Sequence, residues 1–119
     1  MLAKKLNNHI EQRAERESRN FTVYKKINAV DSKILEALVI LSEECAEIIQ
    51  EVSKIQRFGI DEMSYHTHLT HRATLEQEVG DVLAMIDILV DQGILNTDKL
   101  DENKQAKFNK LKKWSSIYE

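Results

Sequence analysis

No proline and only three glycines occur in 119 residues. β-Sandwiches and barrels reverse the chain many times and depend on those two residues for their turns, so a chain nearly free of both has few places to reverse. Long helices joined by a handful of loops are the remaining solution. The residues are 42% hydrophobic and 31% charged, enough apolar surface to form a core and a balance unlike that of disordered chains. The length suits a single domain over residues 1–119 and excludes an enzyme with separate substrate and cofactor lobes.

A net charge of −3 and a pI near 5.8 provide no global field for nucleic acid or an anionic membrane, so neither is an expected partner. Cys45 is the single cysteine and has no internal disulfide partner. The opening MLAKKLNNHIEQ lacks the apolar stretch of a secretory signal, and no run approaches the roughly 18 apolar residues of a membrane span. The cytoplasm is the expected compartment.

Residues 1–19 are charge-dense with Leu6, Ile10 and Ala14 four apart, the pattern of a narrow-striped amphipathic helix. Residues 20–31 show no period and read as a connector. From Ser32, with Asp31 or Ser32 as the cap, Ile34, Leu38, Leu41, Cys45, Ile48, Val52 and Ile55 advance in steps of four and three, with Leu35, Val39, Ala46 and Ile49 widening the stripe. That spacing predicts a core helix to Phe58, with Gly59 as its C′ residue. After the loop GIDEMSYHTHLT, a second helix is predicted from near Thr70 to Gly93 through Leu75, Val79, Val82, Ile86 and Leu89. A third runs from a cap at Thr97 or Asp98 to about Trp114. The expected fold is all-α, a four- to five-helix bundle with its core helices in 32–114.

The chemistry concentrates in acids. On a helical wheel Glu44 and Glu47 flank the apolar seam of the first core helix while Glu43 points further out, and Glu78 and Asp81 share a row with Met85 and Ile88 in the next. Glu47 precedes Phe58 by about 16 Å and Glu78 follows Thr70 by about 12 Å, so an antiparallel pair sets them at similar heights. Four carboxylates meeting between helices need raised pKa values or a cation. Oxygen-only ligation suits Mg²⁺ or Mn²⁺, and the open positions of Mg²⁺ suit a phosphate-containing substrate. A di-iron site would place a His three residues after a Glu, whereas Glu44 leads to Glu47, Glu47 to Gln50 and Glu78 to Asp81.

Glu43-Glu44-Cys45-Ala46-Glu47 followed by Glu78-Val79-Gly80-Asp81 resembles the EExxE and ExxD motif pair of the MazG-like all-α nucleoside triphosphate pyrophosphohydrolases. The resemblance runs from about Ile34 to Trp114 and includes a KxxRFG-like helix end at Lys54, Arg57, Phe58 and Gly59. It departs at Ala46, where the family often has Gly, and in the thirty residues between Glu47 and Glu78, a long spacing for the pattern. The resemblance implies that Glu44, Glu47, Glu78 and Asp81 ligate Mg²⁺, with Glu43 nearby, and that a nucleoside triphosphate is split into monophosphate and pyrophosphate. In that scheme Glu43 or Glu47 activates the water. It also implies a homodimer or homotetramer, and an Asn and a Lys near the phosphates.

Lys54 lies two turns beyond Glu47 on the same face and Arg57 continues that row, so both are candidates for the phosphate tail. Asn103, Lys107 and Lys110 share a face of the last helix and are candidates for the same role. His66, His68 and His71 match no zinc pattern and read as loop residues. Cys45 reads as a core residue. Trp114 and Tyr118, like Phe21 and Tyr24, suit either a base or an apolar contact. The competing function is a non-catalytic helical interaction or regulatory protein whose acids only solubilise it.

Overall fold

The computed structural model describes residue 4, residues 7–17 and residues 32–119. The chain divides into two units, Met1–Glu36 and Ala37–Glu119. In the first, residues 7–17 form helix α1. Its described side chains are exposed, Ile10 and Ala14 of the expected stripe included, and Arg13 Nε donates to Glu17 Oε1 one turn on, at 3.0 Å. Leu6, the 20–31 connector, Phe21, Tyr24 and the Asp31 cap lie outside the described residues.

Helix α2 (Ser32–Phe58) crosses the boundary between units. It stops at Gly59, whose φ of +100° suits glycine and whose N–H donates to the Ile55 carbonyl at 2.8 Å. This is the left-handed cap expected from the sequence. Helix α3 (His71–Asp91) starts where the Thr70 side chain accepts from Ala73 N. It ends in a Schellman turn, with Gly93 N donating to Val90 O and Ile94 N to Leu89 O. Helix α4 (Thr97–Trp114) is capped one residue earlier than predicted: Asn96 Oδ1 accepts from Lys99 N, because the Asn side chain reaches the third helical N–H. The described residues thus contain helices and no strand, only an isolated bridge between Met63 and Thr70. None of the described helices is long and apolar enough to cross a membrane.

In the second unit α2 and α3 run antiparallel, and their register stacks distinct layers. Ala37, Met85 and Leu89 form a buried apolar cluster with Ile40, Leu41 and Leu95 packed around it. Toward the C-terminus of α2, Glu44 and Glu47 meet Glu78, and one turn further Glu51 meets His71. The inward seam of α2 in this unit is therefore 37, 40, 41, 44, 48, 51 and 55.

The other half of the predicted stripe turns outward. Leu38, Val52 and Ile49 are exposed, as are Val79, Leu83 and Ile88 of α3. Cys45 is exposed as well, which corrects its assignment to the core. The stripe is wider than one antiparallel neighbour covers, and Cys45 lies on the uncovered side with Leu38 and Val52, seven residues to either side. Trp114 and Tyr118 are also exposed, with the Lys113 ammonium 5.2 Å from the centre of the Trp114 ring.

Candidate functional site

The acidic layer follows from two local facts. On α2, Glu44 and Glu47 are three apart, so both lean toward α3 from adjacent rungs of one face; on α3, Glu78 and Asp81 repeat the spacing. One carboxylate oxygen from each of Glu44, Glu47 and Glu78 lies within 4.8 Å of the other two. Asp81 completes the group electrostatically, its charge acting on both Glu44 and Glu78. Glu43 is exposed one position away.

Crowding leaves its mark on the protons. Glu78 is pushed up to about 7, first by its hydrogen bond with Glu47, then by burial, then by the charges of Glu47, Asp81 and Glu44. Glu44 is raised above the ordinary glutamate value by burial and by the neighbouring Glu47 and Asp81. Glu44 Oε2 and Glu78 Oε2 are buried and have no hydrogen-bond partner. Buried polar atoms are normally satisfied, so two orphaned oxygens from facing helices mark a place where the chain is not its own best partner. Protons relieve the repulsion at low pH; a hard cation relieves it at neutral pH while satisfying the oxygens.

One turn away stands a pair that the sequence reading did not find. His71 Nδ1 donates to Glu51 Oε1 at 2.6 Å, and both side chains are 6% exposed. His71 is therefore the first residue of α3 and an interior group, which corrects its reading as a loop residue. His66 and His68 do lie in the loop, and His68 takes a left-handed φ of +59°. The sequence carries Glu51 four residues from Glu47 on the same face, but no spacing links it to a partner twenty residues on.

The loop between α2 and α3 carries side-chain and main-chain bonds of its own. Arg72 grips Asp61 with two hydrogen bonds, Nε to Oδ1 at 2.8 Å and Nη2 to Oδ2 at 3.0 Å, which holds the Asp61 carboxyl below its usual range. His71 N donates to Glu62 O, Arg72 N to Ile60 O and Ser64 N to Leu69 O. The loop, with Lys54, Phe58 and His71, lines a half-open depression of about 360 Å³. A larger cavity of about 520 Å³ lies between α3 and α4, with Leu83, Ile86, Val90 and Leu100 in its lining, and contains none of the predicted site residues.

The basic candidates fare unequally. Lys54 lines the loop cavity. Arg57 lies over the Phe58 ring, its guanidinium carbon 4.9 Å from the ring centre. Asn103 donates its side-chain N–H to the Lys99 carbonyl at 2.8 Å. Lys107 and Lys110 are exposed and line neither cavity. The structure thus brings Glu44, Glu47 and Glu78 together, keeps Asp81 outside that trio but near enough for its charge to act on Glu44 and Glu78, puts Lys54 further along the same hairpin, and leaves the α4 residues on their own helix.

No known family model, curated protein or solved structure matches the chain.

Proposed function

We propose that the protein is a metal-dependent nucleoside triphosphate pyrophosphohydrolase of the MazG-like kind. The observation that carries this reading is the pair of buried, unpartnered oxygens, Glu44 Oε2 and Glu78 Oε2, in a layer of four carboxylates. The donor set is all oxygen, and its spacing lets one ion touch three residues. Glu44, Glu47, Glu78 and Asp81 would hold Mg²⁺ or Mn²⁺, which when bound neutralises the triphosphate and polarises the α-phosphorus.

The chain's own residues supply the rest. Glu47 is exposed while its carboxylate belongs to the cluster, so Glu47, or Glu43 beside it, can orient a water and take its proton. The water oxygen bonds to the α-phosphorus as the bridging oxygen to the β-phosphate leaves with the electron pair, giving monophosphate and pyrophosphate. Lys54 stands two turns along α2 from Glu47 and offers its ammonium to the departing charge. Lys107 and Lys110 join it only if α4 faces the substrate in an assembly. Self-association into a homodimer or homotetramer is part of the proposal, because Leu38, Val52, Val79 and Leu83 leave apolar surface open.

The test is pyrophosphate release from a panel of standard and damaged nucleoside triphosphates with Mg²⁺ and with Mn²⁺. Turnover with at least one nucleotide is expected, abolished by EDTA and by Glu47→Gln or Asp81→Asn in protein that still folds. No release from any nucleotide, together with a melt indifferent to either ion, leaves the helical interaction protein as the better account.

A further inference from the structure

We propose that the groove between α3 and α4 receives the C-terminal end of α4 from a second copy of the chain, Trp114 with its neighbouring lysines, and that the exchange is reciprocal across a two-fold axis. The contact lies apart from the acidic layer and does not depend on the hydrolase reading.

The groove offers an apolar floor inside an anionic margin. About 520 Å³ lies over Leu83, Ile86, Val90 and Leu100, within the range of sites that enclose small organic groups. Asp87, Asp91 and Asp101 stand along it against a single cation, Lys104. Among the described residues none of the three acids is in an ion pair. Such a surface selects an apolar group that carries positive charge.

The end of α4 has that chemistry. Residues 105–118 include four lysines and no acid, and Trp114 stands 78% exposed with Ile117 exposed beyond it. Tryptophan is on average a well-covered residue, and it is enriched among the side chains that dominate interfaces. The Lys113 ammonium lies 5.2 Å from the centre of the indole, so ring and cation arrive together. Lys110 stands one turn before Trp114 on the same side of the helix.

One molecule cannot make this contact with itself. Helix α4 is continuous from Thr97 to Trp114, which sets Trp114 about 15 Å along the axis from Lys104, the groove residue furthest along α4. The charges of α4 show which molecule does. Its acids, Asp98, Asp101 and Glu102, fall in its first two turns, and every lysine but Lys99 follows them. The helix dipole explains such charges only in the first and last turns, whereas here the division runs through the middle of the helix. When each Trp114 enters the other copy's groove, the two α4 helices run antiparallel and lay acidic start against basic end at both places. A helix divided in this way is complementary to its own inverted copy, and a two-fold arrangement closes with both grooves filled.

Trp114 is the only tryptophan, so its fluorescence reports the contact directly. Sedimentation of the full chain across the micromolar range should show a concentration-dependent dimer. Trp114 emission should move to shorter wavelength in step with it, and added salt should weaken both. Leu83→Lys, at an exposed position, sets a cation on the floor and should weaken the dimer roughly tenfold or more, with circular dichroism showing the fold retained. The decisive arm exchanges charges. Asp87→Lys with Asp91→Lys makes a groove that repels its own lysine-rich tail, and Lys110→Glu with Lys113→Glu sets acids beside Trp114 in a chain whose groove is acidic. Each chain alone should associate far more weakly than the wild type, and an equal mixture should recover the dimer, since each groove then meets a tail of opposite sign. A wild-type chain that stays monomeric, a dimer in which Trp114 keeps the emission of an exposed indole, or a mixture no better associated than its components overturns the proposal. Nucleotide hydrolysis enters none of these measurements, so this contact and the hydrolase can each fail without the other.

Discussion

The α2–α3 hairpin brings polar groups together at two successive levels, one buried and one half-open, and the levels have opposite fates. At one, Glu51 and His71 complete each other at 2.6 Å, both 6% exposed. At the other, one turn away on α2, three acids face one another with Asp81 beside them, two oxygens have no partner, and Glu78 is forced up to about 7. The helices, register and local packing are shared, so the contrast lies in the donor sets. A layer that closes on itself is a structural device, setting register much as a buried polar pair can. A layer that does not close keeps its repulsion within the fold, which shows in the raised Glu44 and Glu78.

The sharpest way to break this comparison is to damage the closed layer. His71→Ala strands the Glu51 carboxylate in the interior, and removing one partner of a buried pair costs about 3–5 kcal/mol. For a domain of this size that is a large part of its total stability. Urea unfolding should show a midpoint lowered accordingly. Replacing both partners with apolar residues, Glu51→Leu with His71→Phe, should cost far less, since no charge is left behind. If His71→Ala melts like the wild type, the pair is not a structural element and the division between the layers fails.

The sequence revealed these two levels unequally. Helix α2 is readable from Ser32 to Phe58, because its apolar steps persist throughout and Gly59 is the glycine that a left-handed cap requires. The acidic layer is readable because each pair sits three apart on a helix and the loop sets both at matched heights. The Glu51–His71 pair is not, since one partner comes from a loop-to-helix junction whose placement depends on the Arg72–Asp61 grip and on bonds within the loop. Cys45 fails for a different reason. Periodicity locates a stripe, but which edge of a wide stripe faces inward is decided by the neighbouring helix, and α3 chose the edge carrying Glu44 and Glu51.

The open layer should answer to a cation where the closed one does not. If Mn²⁺ or Mg²⁺ binds the folded chain alone, a concentration a hundredfold above Kd adds about 2.7 kcal/mol, visible as a rise in Tm that EDTA reverses. Glu47→Gln and Asp81→Asn should abolish the rise while leaving the metal-free protein as stable as the wild type or more so, because a like charge has gone. His71→Ala, though less stable at the outset, should keep it. A rise that survives both acid substitutions would place the ion elsewhere and remove the main support for hydrolysis.

The smallest effect is the most specific to the open layer. In the metal-free protein Glu78 holds its proton up to about pH 7, whereas an ordinary glutamate releases it near 4.5. Between those values the folded chain binds a proton that the unfolded chain has lost, so stability must fall as pH rises across the window. Below it both states are protonated and the contribution is complete; above it the contribution is gone. Glu44, also raised, adds to the same slope. Asp61, lowered by Arg72, works in the opposite sense but only under acid conditions, near and below its ordinary value of 3.8, so the two are separable. Tm should therefore decline from about pH 4.5 to pH 7, flatten in Glu78→Gln, and reverse in saturating Mn²⁺, because a cation on carboxylates competes with their protons. A metal-free protein whose Tm instead climbs through this window would mean that its carboxylates are individually solvated, and the open layer would be no more than a polar surface.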